Sequence, residues 1–459
     1  MITPSKWTAL EPSVIRDAIS GRLGFQEQFG TTYVSGATNS LALKQNPIDG
    51  SANEGDAFLY AGTTNGGVYV RSYDYQSDRW ADAWSWVSEP TGSTVSGYNG
   101  AQGVASLALS PDESLIAAGR GNSSNYQAYT PSGPSLQIGQ LQSDGSISWL
   151  PVVSDTALSG STTDFNVRSL WWQQDGLYAS FSNGFASPTG RYGEFGRFTV
   201  DNSGDVGSYE RLATTDTPII TTAAGATGPV FYGSLTGSIL RTTPSQPDSV
   251  EVTSAAWQQI VQSRLASGEL LARFAVEQDP LDPDGFVLLV GWYAAQKGNI
   301  THVDRLSIAS DASITSIESI DLSNLVGNSQ AAVENFYGNY TLAFDPQDTK
   351  LNTILVGGNQ YTSAHPVDAQ PYASTGGFVR ANFNSGAVDP VFGPYKDDSG
   401  ALVQSSIFTG APHADSRTAV TLNTPGGQAI IQADDGGVWL LSEHSERPSG
   451  QHWTSLNAV

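Results

Sequence analysis

Short apolar runs that scarcely alternate with polar residues recur along the whole chain, each followed by a Gly- or Asp-rich turn and a second run of the same kind. The closing stretch shows the unit complete. A first strand is expected over Arg417 to Leu422, ending at Pro425, Gly426 and Gly427. A second spans Gln428 to Gln432 and ends at Asp434, Asp435, Gly436 and Gly437; a third covers Val438 to Ser442, and Trp453 to Leu456 supplies a fourth. Glycine pairs at such turns reach positive φ without a Cβ penalty, which tight reversals between short strands require.

The same grammar opens with NSLALK, VASLAL, VRSLWW, IITTAA, LLARFA and NYTLAF upstream, and RTAVTL completes the set at seven units, spaced by roughly 50 to 80 residues. Runs such as SLALS and TILVGG are what strands covered on both faces look like. One four-stranded sheet cannot bury both of its faces, whereas radial packing against the next sheet can, and closing the ring protects the edges. The fold is therefore read as all-β, a seven-bladed β-propeller of four-stranded antiparallel blades. Paired sandwiches would alternate polar and apolar residues more cleanly, and a β-helix would repeat at shorter intervals. Residues 31–459 are assigned to the propeller. Residues 1–30 form a lead-in that packs on it, with Trp7 to Leu10 near the closing blade and a short helix around Val14 to Ser20.

Composition limits the partners. With 39% hydrophobic residues, 49 Gly and 23 Pro, the chain has enough apolar mass for a large core and the turn content of an all-β protein. A net charge of −23, with only 21 Lys and Arg, excludes nucleic acid as a partner, because phosphate binding needs clustered basic side chains. A carbohydrate or a protein partner fits better. The absence of cysteine removes disulfides, thiolate nucleophiles and Cys-ligated zinc. No apolar run is long enough for membrane insertion as a helix. The start, MITPSKWTALEP, lacks a signal peptide's basic and apolar regions, so the chain is either cut from a longer secreted precursor or not exported by that route. An acidic, Cys-free, Thr/Ser/Gly-rich composition fits a large bacterial surface protein. The expected location is extracellular or at the cell surface, as one domain of a larger chain or assembly.

Strand, D-P or S-P-D turn, strand, the G-T-T-N-G-G-V-Y hairpin at Gly62 to Tyr69 and the Trp80, Trp84 and Trp86 outer segment together resemble the sialidase-type repeat, or Asp-box, β-propellers. Relatives in that group include sialidases and xyloglucan-cleaving glycosidases. PHADSR, DDGGVW and WTSLN resemble the closing blade of large secreted propeller proteins of cyanobacteria and marine bacteria. The Asp-box itself is eroded. Ser143, Asp144, Gly145 and Trp149 make one degenerate copy, Ser203, Asp205, Gly207 and Tyr209 a second, and Ser72, Asp74 and Trp80 a third. The resemblance implies a structural role for them, the Asp holding hairpin N–H groups and the ring packing between blades.

Arg16, Arg22, Arg71, Arg120, Arg168, Arg273 and Arg417 stand near blade starts or hairpins, yet no R-I-P motif marks the first blade, so a sialidase is not the reading. A glycoside hydrolase with paired carboxylates stays open as the alternative to a non-catalytic recognition module, with Asp415, Asp434, Asp435, Asp164 and Glu334 nearest the inner strands. A lyase would draw its base from His413 or His365. In HADSR, His413, Asp415 and Arg417 are the catalytic candidates, against a closure role in which Asp415 and Arg417 fix the seventh blade to the first. Trp171, Trp172, Trp292 and Tyr293 are the aromatic candidates for stacking on a sugar. Asp434, Asp435, Asp282 and Asp284, with Asp279, offer turn oxygens to Ca²⁺. Calcium held there would stabilise the folded state by mass action. Melting should then fall when a chelator replaces saturating calcium, and equal melting temperatures would remove calcium from the account.

Overall fold

The computed structural model describes residues 38–45, 56–63, 67–87, 103–120, 136–150, 165–183, 193–217, 219–244, 246–294, 299–323, 340–358, 378–392, 395–396, 402–403, 416–424, 427–434, 437–442 and 452–456. Seven antiparallel sheets whose strands pair in chain order each make one blade, and an eighth, two-stranded sheet pairs Tyr395–Lys396 with Leu402–Val403. The innermost strands are Thr38–Lys44, Val104–Leu109, Phe165–Gln173, Ile219–Ala223, Glu269–Gln278, Thr341–Phe344 and Thr418–Thr424. Each touches the next, and the seventh touches the first, so the ring is closed and the expected seven-bladed propeller is observed. The lead-in expected over residues 1–30 lies outside the described residues.

Apolar residues collect between blades rather than within them. In Ala57–Thr63, the second strand of blade 1, Ala57, Leu59 and Ala61 face blade 7 while Phe58 and Tyr60 face blade 2. One strand therefore feeds two cores, which is why its sequence shows no polar face. A separate apolar cluster fills each of the seven interfaces. The one between blades 4 and 5 centres on Phe231, Trp257 and Trp292, and that between blades 3 and 4 on Tyr178, Phe195 and Tyr232. Glycine permits the closest approaches: a Cβ on Gly62 would stand 2.5 Å from Ser40 Oγ and 2.7 Å from Val104 Cγ1 of the next blade.

The fourth strand of blade 1 departs from the expected single outer strand. It is split into Arg79–Trp80 and Ser85–Trp86, and between them Trp84 turns inward to become 4% exposed. The helix Ala255–Ala266, between blades 4 and 5, is an element that sequence periodicity does not announce. Ser254 caps it, its hydroxyl accepting from Trp257 N–H at 3.1 Å, and Trp257 is its one buried residue. Arg264 in its last turn reaches Asp304 Oδ1 at 3.1 Å and Glu269 Oε2 at 3.7 Å. Asp304, fully buried, also accepts the Trp292 indole N–H at 2.7 Å, and His302 Nδ1 lies 2.6 Å from Glu269 Oε1.

Closure is non-covalent and comes from the C-terminal segment, as expected. The last blade consists of Thr418–Thr424, Gly427–Asp434, Gly437–Ser442 and His452–Ser455. The Leu456 carbonyl, just beyond, accepts from the Trp84 indole N–H at 2.8 Å and from Arg71 Nη1, both in blade 1. Gln45 adds a second tie, its amide bonding Thr421 O at 2.9 Å and accepting from Asn423 N–H at 2.8 Å.

Two measurements check this account. Trp84→Phe removes the indole donor and leaves a small void in the closing core, so it should cost about 1 to 3 kcal/mol in urea unfolding; an unchanged midpoint would show that closure does not depend on it. For Glu269, burial raises the carboxyl pKa, but hydrogen bonds from His302 and Thr301 and the neighbouring His302 and Arg264 charges outweigh burial and hold it below the ordinary glutamate value. A folded-state value below the unfolded one contributes stability above about pH 4.3, lost as pH falls through the folded value. Glu269→Gln should therefore be less stable than the parent at pH 7, with the difference shrinking toward pH 3.

Candidate functional site

A cavity of about 230 Å³ occupies the central channel, lined by the inner strands of six blades. Its walls follow from a repeated irregularity. In blades 1, 2, 3 and 5 the register between the first two strands slips by one residue, at Asn39, Ala105, Arg168 and Ala272. Blade 7 does the same at Arg417, whose N–H donates to Ala433 O at 2.9 Å although Ala433 pairs with Thr418. Such β-bulges bend a strand and re-aim its side chains. Here they place bulged residues and their successors Ser40, Ser106, Ser169, Arg273 and Thr418 around the cavity.

These groups stitch the blades together on the channel side. Asn39 Nδ2 donates to Val104 O at 3.0 Å, linking blades 1 and 2, and Leu170 N–H donates to Ser106 Oγ at 3.0 Å, linking 2 and 3. Blades 3 and 4 meet through Ser169 and Thr221, and the Trp171 indole N–H donates to Thr221 Oγ1 at 2.8 Å. Blades 6 and 7 share a 2.7 Å bond between Thr341 and Ser416, and Arg417 Nη1 donates to Asn39 Oδ1 across the closure. Arg273 Nη2 reaches the Arg417 carbonyl at 3.5 Å, joining blades 5 and 7.

Arg168, Arg273 and Arg417, from blades 3, 5 and 7, thus all line one cavity, and no carboxylate is among its described lining residues. Arg273 is half-buried in this wall, and desolvation lowers its pKa below the usual arginine value. Hydroxyls, an asparagine and one indole complete the polar wall. Chemically the cavity is a set of donors on a rigid frame, suited to hold an oxygen-rich anion, and its described lining carries no proton-transfer pair.

Arg417 is therefore both a closure residue, through Asn39, and a wall of the cavity. Its expected companions His413 and Asp415 lie outside the described residues, as do Asp435, Asp164, Glu334 and His365. Of the aromatic candidates, Trp171 lines the cavity, while Trp172 is half-buried against the core between blades 2 and 3. Trp292 and Tyr293 must be corrected. They are 0% and 1% exposed in cores on opposite sides of blade 5, where strand alternation sends successive side chains, so neither ring meets solvent or a ligand. Asp434 is buried and accepts from Gln432 Nε2 and the Trp439 indole, each at 3.3 Å. Asp282 Oδ1 accepts from Asp284 N–H at 3.1 Å, and Asp279 Oδ1 from Leu281 N–H at 2.8 Å, which makes them turn residues. Among the described residues no three His, Asp or Glu side chains gather as metal ligands would.

The degenerate Asp-box copies all fall at the turn from third to fourth strand. Asp74 accepts from Gln76 N–H at 2.8 Å and Asp144 from Ser146 N–H at 2.9 Å. In the remaining copy the holding carboxylate is Asp201, not Asp205: it accepts the N–H groups of Ser203 and Asp205, each at 2.9 Å. Serine hydroxyls and backbone N–H groups keep these three carboxylates below the usual aspartate range. Arg168 and Arg273, the residues that define the cavity, are legible in sequence only as arginines near blade starts. A sharper signal is their place beside the bulge, in the aligned pairs Asn39-Ser40, Ala105-Ser106, Arg168-Ser169, Ala272-Arg273 and Arg417-Thr418.

No protein-family model matches the chain, and no curated protein does. The resemblance to sialidase-type repeats thus rests on blade grammar alone. Among solved structures the chain is similar to a proposed 6-phosphogluconolactonase from Bacteroides uniformis, at 11% identity and a TM-score of 0.45, over 89% of this chain and 93% of that one.

Proposed function

We propose that this chain is a non-catalytic recognition propeller that takes an acidic carbohydrate in its central channel, as one domain of a larger secreted or cell-surface bacterial protein related to the sialidase-type repeat group. The observation that supports the reading is the convergence of Arg168, Arg273 and Arg417, from three different blades, on one hydroxyl-lined cavity. Guanidinium groups pair with the anionic oxygens of such a sugar, serine and threonine hydroxyls with its ring substituents, and the Trp171 indole offers an apolar face. Hydrolysis with paired carboxylates would need two acids facing each other across the bond to be cut, and the described lining supplies cations instead.

A glycan array carrying neutral and acidic oligosaccharides, run beside a reducing-sugar assay on the same compounds, tests the proposal. Binding confined to acidic glycans, with no new reducing ends, is the expected result. Equal binding of neutral glycans would sink the channel as the site, and release of reducing ends would convert the module into a hydrolase.

A further inference from the structure

We propose that His302 is a pH-sensitive latch in blade 5, its imidazolium tying the first strand of the blade to the end of the fourth and releasing the fourth when the proton leaves. The four strands are Glu269–Gln278, Phe286–Ala294, Asn299–Ile308 and Ile314–Asp321. His302, on the third, has a carboxylate at each ring nitrogen: Nδ1 lies 2.6 Å from Glu269 Oε1 on the first strand, and Nε2 lies 3.3 Å from Asp321 Oδ1 on the fourth. An imidazole with one proton donates from one nitrogen and presents a lone pair at the other, which repels a carboxylate oxygen. Both contacts are attractive only when both nitrogens carry protons, and histidine is the side chain that takes up or gives away that second proton between about pH 5 and 8. The tie is therefore present at the low end of that range and lost as pH rises through it.

The surroundings decide which contact gives way. Among the described residues, the ionisable groups in ion-pair contact with this ring or with its partners are Glu269, Asp321, Arg264 of the helix Ala255–Ala266, and Asp304. Arg264 is divided between Glu269 and Asp304, and Asp304 also accepts from the Trp292 indole and the Ser319 hydroxyl. With the ring protonated, two cations face three carboxylates; with the ring neutral, one does. Glu269 is 4% exposed and accepts a second bond from the Thr301 hydroxyl, so the proton that stays belongs on Nδ1. Asp321 has 56% of its side chain in water and can turn away from a lone pair at little cost. Burial raises the Asp321 carboxyl, but hydrogen bonds from Ser323 and the charges of His302 and Arg264 outweigh it and hold it below the usual aspartate range. Glu269 is held low as well, so both carboxylates stay ionised where the imidazole titrates. Release of Asp321 loosens the exit of the blade, where its Oδ1 accepts from Ser323 N–H at 2.8 Å and Leu322 N–H donates to Thr301 O at 2.7 Å. The first strand, which stays tied, is the one on which Ala272 and Arg273 line the channel cavity.

Hydrogen exchange of the whole protein at pH 6 and at pH 8.5, corrected for the intrinsic effect of pH and followed over residues 314–323, tests the latch. Exchange there should be about threefold or more faster at the higher pH in the parent, the scale of a partly exposed ion pair. The outer strand of blade 3, Val206–Thr215, which contains no histidine, should show no such change. Asp321→Asn supplies an amide that can accept from a ring N–H or donate to a ring lone pair, and His302→Gln has no proton to lose, so each should abolish the pH dependence. A merely structural role would instead raise exchange equally at both pH values. Should His302→Gln fail to fold, the exposed position of Asp321 lets the Asn variant decide. Corrected exchange in the parent that is equal or slower at pH 8.5, the same change in blade 3, or a folded variant that keeps the parent's pH dependence would each overturn the proposal.

Discussion

The whole structure depends on one constraint, that a four-stranded blade has two apolar faces and can cover neither by itself. Ala57, Leu59 and Ala61 need blade 7 while Phe58 and Tyr60 need blade 2, so no blade is complete until both neighbours are in place. The requirement passes around the ring until the last interface must be made by residues far apart in the chain. With no cysteine to lock it, that interface is held by a buried cluster of Leu41, Leu59, Tyr73, Trp84, Leu422 and Ile431, and by two donors that converge on the Leu456 carbonyl. Contacts at that carbonyl bridge sequence separations of more than 370 residues, so they form only when nearly everything else has.

A ring made this way leaves a channel at its centre, and the inner strands must face it with something other than apolar mass. Bulges in five blades solve the problem locally. Each lifts one residue out of the pairing and turns a polar neighbour to the axis, where it can bond the adjacent blade. Asn39, Ser106 and Ser169 thereby satisfy themselves across interfaces, and the same position in blades 3 and 7 carries arginine. Neutral hydroxyls would have served for stitching alone. The guanidinium groups of Arg417 and Arg273 reach farther than a hydroxyl can, to Asn39 and to the Arg417 carbonyl.

The blades were legible because burial on both faces and glycine turns are written directly into short stretches of sequence. Closure by the C-terminal strands could be read for the same reason, since Arg417 to Leu456 already contains a whole unit. What could not be read were features that depend on neighbours. Trp292 looks like any surface-capable ring until the helix Ala255–Ala266 lays Trp257 against it at 5.9 Å. That helix escapes periodicity because only Trp257 is buried, so it has no apolar stripe to announce it. A bulge moves by one residue the face that each later side chain takes, so the inward direction of Arg168 and Arg273 cannot be assigned before the register is known.

The acidic exterior and the cationic cavity set a selection rule together. A net charge of −23 repels any polyanion at long range, while three arginines enclosed in the channel attract an anion only once it is within a few ångströms and partly dehydrated. A polyanion therefore meets the repulsion of the net charge before it meets the arginines. A ligand with one charge on an otherwise neutral body would meet less of that repulsion. The cavity's small volume enforces the same choice sterically, since about 230 Å³ admits one charged residue of a chain but not a charged segment. The two signs of charge thus part company, arginines at the ring's central cavity and a net negative charge over the chain as a whole.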